Sequence, residues 1–114
     1  MRREVEQYIP KAIRAIEDLK IVNKNGEVAK QFNGYIASFG ASVRQAGLLA
    51  TVLFYGNENA SAEKERKKVV EAIEFIIGHN IINNDNCSVE KSTRAKVENA
   101  AVALKLAIRT YKLV

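Results

Sequence analysis

Cysteine, histidine, methionine and proline each occur once in this 114-residue chain, and tryptophan not at all. The one cysteine, Cys87, cannot close an internal disulfide or assemble a thiolate zinc site by itself, which agrees with a reducing compartment. It stands in an asparagine-rich stretch with no basic neighbour to lower its pKa, so it reads as an unreactive thiol. The one histidine, His79, follows Gly78 at the end of a helical pattern. A cationic imidazole suits the negative end of a helix dipole there, whereas a metal ligand or general base would need partners at spacings the sequence does not supply. No apolar run approaches the roughly 20 residues of a membrane span, and the start Met1-Arg2-Arg3-Glu4 lacks the apolar core of a secretory signal. The expected location is the cytoplasm. Enzymatic chemistry is not expected, and neither a cofactor, a metal nor a small-molecule substrate is implied.

With 47% hydrophobic and 27% charged residues, the chain has the balance of one globular domain over 1–114 with one core. Punctuation divides it into five apolar-periodic stretches, each spaced for a helix and none alternating like a strand, which predicts an all-α, single compact bundle of about five helices. In the first, Val5, Tyr8, Ile9, Ala12, Ile13, Ile16 and Leu19 fall on one helical face. Either this helix starts near Ile9 with Pro10 in its first turn or it kinks at Pro10, and a kink is favoured.

The cluster Asn23-Lys24-Asn25-Gly26 predicts a turn. Two helices come next, from Glu27 to about Gly47 and from Leu48 to Tyr55, expected to form the buried centre. Gly47 separates them as a residue free to take positive φ. Ser61 is the expected N-cap of a fourth helix running to Gly78, whose core face is Val69, Val70, Ile73, Ile76 and Ile77. After the asparagine-rich loop 80–86, Ser88 is placed to cap a last helix that buries Val97, Ala100, Ala101, Leu104, Ile108 and Tyr111.

Gly34, Ala37, Ser38 and Ala41 fall about one turn apart and predict a ridge of small side chains against which another helix packs closely. Neither a Walker motif nor a dinucleotide fingerprint is present around Gly34, Gly40 and Gly47. The carboxylate pairs Glu71 with Glu74 and Glu4 with Glu6 lie among Lys and Arg and read as solvated faces.

Eighteen basic against thirteen acidic residues give a net charge of +5, compatible with a polyanionic partner. The excess is uneven, since the segment 89–114 holds six basic residues against two acidic. At about 100° per residue, Lys91, Arg94, Lys105, Arg109 and Lys112 project within a sector of roughly 60°, interrupted by Glu98. Such a stripe has two readings: a phosphate-tracking surface giving salt-sensitive, sequence-independent binding, or a solvated face. Val102, Leu106 and Leu113 fall outside the apolar face of the same helix, and Phe75 outside that of the fourth. They are candidates for a protein interface if they form an exposed patch.

The stretch 32–55 joins a start Tyr35-x-x-Ser38-Phe39, a polar pair Arg44-Gln45, a break Gly47-Leu48 and an end Thr51-x-x-Phe54-Tyr55. It resembles the central segment of the Cmr small-subunit family of type III-B CRISPR effector complexes, and covers about a fifth of the chain. The resemblance implies a non-catalytic subunit that stacks with copies of itself and joins other Cmr subunits along a ribonucleoprotein. It further implies a role in antiviral defence, holding guide RNA and target RNA through basic surface and protein contacts. By motif position Arg44 is the residue that carries over, as a phosphate contact or a contact to a neighbouring subunit. The alternative is a free-standing, helix-turn-helix-like DNA-binding regulator. Its recognition helix at Leu48 would have no Arg, Lys, Asn or Gln with which to read base edges. A third reading, a small nuclease or hydrolase, would have to rest on His79 or Cys87.

Overall fold

Helical periodicity governs nearly the whole chain, and the computed structural model turns it into five helices among the residues it describes, which are 2–55, 63–82 and 91–114. They are α1 (Arg2–Asp18), α2 (Lys30–Ala46), α3 (Leu48–Tyr55), α4 (Glu63–Ile77) and α5 (Lys91–Ile108). The fold is an all-α bundle. Two strands of two residues each, β1 (Glu27–Val28) and β2 (Lys112–Leu113), complete it. Ser61, Cys87 and Ser88 lie outside the described residues, so the two caps and the thiol predicted there do too.

α1 runs unbroken through Pro10, which takes an exposed position. The helix therefore does not begin at the proline. It buries Ala12, Ala15 and Ile16 fully and packs Val5, Tyr8, Ile9, Ile13 and Leu19 against the core. It ends with Lys20 at φ 57, the left-handed conformation that lets the Ile21 amide return to the Ile16 carbonyl at 2.9 Å.

The predicted turn at residues 23–26 forms around one side chain. Asn23 Oδ1 accepts from the amides of Asn25 (2.9 Å) and Glu27 (3.0 Å), and Gly26 takes φ +75. The residues just after the turn are not helical as expected. Glu27 and Val28 are extended, and α2 begins only at Lys30, because the backbone here pairs with the other end of the chain. β1 and β2 run parallel in the register Glu27 to Lys112 and Val28 to Leu113. The Lys112 and Val114 amides donate to the Gly26 and Val28 carbonyls, and Lys30 N–H donates to Val114 O at 2.9 Å. Val28, at the centre of this pairing, is fully buried.

α5 lies at the middle of the bundle, with α1, α2 and α4 packed around it. Val97, Ala100, Ala103, Leu104, Ala107 and Ile108 are fully buried along it. These alanines, and Ala12 and Ala15 of α1, are buried small side chains on two helices that pack together. The ridge predicted on α2 is not buried in this way. Gly34, Ala37 and Ser38 are exposed, Ala41 is only half-buried, and a Cβ added at Gly34 would meet nothing within 4 Å. α2 instead buries Phe32, Ile36, Phe39 and Val43.

Gly47 ends α2 with φ 94 and ψ 160 and donates its amide to Val43 O at 3.2 Å, as a residue without Cβ permits. α3 then packs mainly on α2 and α4 at one edge of the bundle. It buries Leu48, Thr51, Val52 and Tyr55 but leaves Leu53 and Phe54 in solvent, so it is not part of a buried centre. α4 buries Val69, Val70, Ala72, Ile73 and Ile76 and stops at Gly78, with φ +85. Glu74 is more than a solvated carboxylate, since its Oε2 accepts the amide of Ile81 at 3.0 Å and ties down the chain after the helix.

Candidate nucleic-acid and subunit interface

The basic residues singled out from sequence divide by element. Arg94 and Lys105 project from α5, and Lys91 is its first residue. Arg109 and Lys112 do not share that helix face, because α5 ends at Ile108 and Lys112 belongs to β2. The extended stripe of the helical wheel therefore stops one turn early, where the backbone leaves the helix to pair with β1. Tyr111 is likewise beyond the helix, yet half-buried and packed against the core. Arg109 and Lys112 are exposed.

Packing of α2 across α5 creates a juxtaposition that spacing alone does not show. Arg44, from the last turn of α2, and Lys105, from the last turn of α5, line one open groove of about 760 Å³. Its floor and walls are apolar, from Val5 and Ile9 of α1, Ile36 and Ala37 of α2, and Val102 and Leu106 of α5. Glu6 and Glu98 also line the groove, so its two cations are matched in number by two carboxylates and the formal charges balance. Gly40 lies beneath Arg44, whose Nη1 would come within 3.8 Å of a Cβ placed there.

Arg94 meets Glu98 one turn away, Nε to Oε1 at 3.2 Å, with both side chains well exposed. An exposed pair of this kind contributes little stability, and it screens part of the stripe. His79 is exposed at the end of α4, its Nδ1 2.8 Å from the Asn80 carbonyl oxygen. Among the described residues, no three His, Cys, Asp or Glu side chains gather as metal ligands. Among them, too, no helix is long and apolar enough to cross a membrane.

Of the four apolar interface candidates, Phe75, Val102 and Leu106 are exposed. Leu113 is not. It sits in β2, half-buried and packed against the core, because the strand turns its side chain inward beside Val28. Val102 and Leu106 share the groove with Arg44 and Lys105, so residues assigned from sequence to two different surfaces belong to one.

Nearly the whole length of the chain, residues 6–111, matches the family described as CRISPR-associated protein (Cas_Cmr5). The chain belongs to this family. It is thus a CRISPR-associated Cmr subunit, and the likeness carried by the stretch 32–55 extends across all five helices. No curated protein and no solved structure matches it.

Sequence reasoning missed a second feature. Arg66 of α4 lies between two rings, its guanidinium carbon 5.6 Å from the Tyr35 ring centre and 5.3 Å from that of Phe54. Phe54 also meets Tyr55 at 5.8 Å, and Tyr55 meets Phe39 edge-on at 5.2 Å. The Tyr55 hydroxyl donates to the Tyr35 carbonyl at 3.0 Å. Burial pushes the Tyr55 phenol above its ordinary pKa, opposed by the nearby Arg66 charge and a hydrogen bond with Ser38. The eight residues of α3, all apolar apart from Thr51 and Tyr55, gave no period from which its open side could be read.

Proposed function

We propose that this Cmr subunit is a single-domain, non-catalytic small subunit of a type III-B effector complex. It works in the cytoplasm in antiviral defence, stacking with copies of itself and with other Cmr subunits and stabilising the guide RNA–target RNA duplex. The observation that carries this reading is the family match over residues 6–111. Arg44, Lys91, Arg94, Lys105, Arg109 and Lys112 are the residues proposed to meet phosphates, and Phe75, Val102 and Leu106 those proposed to meet protein. The groove that joins Arg44 and Lys105 to Val102 and Leu106 supports a surface where a neighbouring subunit and the RNA backbone meet. Its balanced charge and apolar lining suit a protein neighbour at the floor, with phosphates engaged at the rim.

The test is binding of guide–target duplex RNA by Cmr complexes assembled with wild-type subunit or with Arg44, Arg94, Lys105 and Arg109 reversed to glutamate. Affinity is expected to fall steeply between about 50 and about 200 mM salt. The reversed subunit should lower it by tenfold or more, a loss of roughly 1.4 kcal/mol. Equal retention of duplex by both complexes would refute the assigned phosphate contacts.

A further inference from the structure

Phe54 is 55% exposed although its neighbour Tyr55 is only 4% exposed, and Leu53 beside it is nearly as open as Phe54. A single exposed apolar side chain is ordinary, so the exposure of Phe54 carries meaning only through what stands beside it. Its partner is a cation. Arg66 reaches from α4 to lie over Phe54 of α3 and Tyr35 of α2, so three helices converge on one aromatic–guanidinium stack. Stacking engages the faces of the guanidinium plane, while its N–H groups radiate from the edge in the geometry that grips phosphate. Arg66 also opens the basic run Arg66-Lys67-Lys68, whose members leave α4 in different directions, so the charge at the ring is that of Arg66.

We propose that Phe54 and Arg66 form a stacking site for an unpaired nucleobase of single-stranded RNA, the ring taking the base and the guanidinium the adjoining phosphate. An aromatic face beside a cation is the combination that binds single strands without regard to sequence, because every base presents a π-face. Paired bases are stacked on their neighbours already, so the site selects unpaired over duplex nucleotides. Phenylalanine and arginine are equally at home in protein interfaces, and it is the chain's net charge of +5 that favours a polyanionic strand as the occupant. The site lies on α3 and α4, apart from the groove between α1, α2 and α5. The inference rests on the RNA-holding function proposed above and adds to it a contact to bases.

The chain has no tryptophan, so Phe54→Trp installs a single fluorophore that keeps an aromatic face. The 114-residue chain is titrated with an oligoadenylate of about ten nucleotides and with an abasic ribose-phosphate strand of equal length. Phe54→Ala is expected to weaken oligoadenylate binding about tenfold and leave abasic binding unchanged. Phe54→Trp should restore the affinity, with its emission quenched by oligoadenylate and not by the abasic strand. Circular dichroism reports whether each variant keeps its helices. The proposal is overturned if both strands bind wild type and Phe54→Ala alike, or if both quench the tryptophan equally. Loss of assembly with other Cmr subunits, without any preference for bases, would overturn it in favour of a protein contact. If wild type binds neither strand, the stacking site falls, while the duplex contacts proposed above stand or fall by the assembled complex. Salt-sensitive binding that ignores bases sinks the stacking site alone.

Discussion

Ser42 Oγ and Thr51 Oγ1 lie 2.7 Å apart across the break between α2 and α3, and Thr51 Oγ1 is also 2.8 Å from the Gly47 carbonyl oxygen. A carbonyl only accepts, so the Thr51 proton goes to Gly47 and the Ser42 hydroxyl is the donor to Thr51. Thr51 is almost wholly buried. Thr51→Val keeps the shape and leaves the Gly47 carbonyl its bond from the Thr51 amide at 3.2 Å, but takes the acceptor from the Ser42 hydroxyl and one of two donors from Gly47, and is expected to destabilise by about 1 kcal/mol. Thr51→Ser keeps both bonds and should cost less. Urea midpoints of the two variants decide, and equal midpoints would show that the pair contributes nothing.

Two glycines of the same region should respond to alanine with opposite sign. Gly34 sits inside α2 with open space around it, so Gly34→Ala is expected to stabilise by about 0.5–1 kcal/mol through reduced backbone entropy of the unfolded chain. Gly47 also has open space, but its φ of +94 lies where a side chain is strained, so Gly47→Ala should cost about 1–3 kcal/mol. Thermal melts measure both. A destabilising Gly34→Ala would mean that another helix packs closely there after all.

Alkaline pH should loosen the fold through its tyrosines. Burial raises the Tyr55 phenol above 10.0, and burial together with the Glu17 charge raises that of Tyr111. The folded state therefore holds these protons more tightly than the unfolded chain. Their contribution is complete below about pH 10 and is lost as the pH rises through the folded values. Tyr55→Phe should cost about 1 kcal/mol at about pH 7 by removing the bond to the Tyr35 carbonyl. It should also show a shallower decline in stability above about pH 10 than wild type. An identical decline in urea denaturation would assign the alkaline loss to other groups.

The helices were readable because glycine and asparagine punctuate them. The Asn23 turn, the break at Gly47 and the stop at Gly78 all stand where the residues place them. The strands were not, since two residues carry no period and Val28 takes its conformation from Leu113, near the far end of the chain. That same pairing removed Lys112 from the basic stripe and Leu113 from the exposed set. A covered small-residue ridge was expected on α2, but the buried small residues are on α5 and α1, because spacing identifies a ridge without saying which neighbour covers it. Arg44 and Lys105 were each singled out, but their meeting in one groove depends on how α2 crosses α5, which neither helix encodes alone.

The parallel pairing of β1 with β2 joins the first quarter of the chain to its last residues through a few backbone bonds. Closing so long a loop is entropically costly until the helices between have already brought its ends together. The pairing is therefore expected to form late, on the native side of the folding barrier. Weakening it should leave the refolding arm of a chevron plot nearly unmoved and raise the unfolding arm, so these few residues govern how long the native state lasts rather than how fast it is reached.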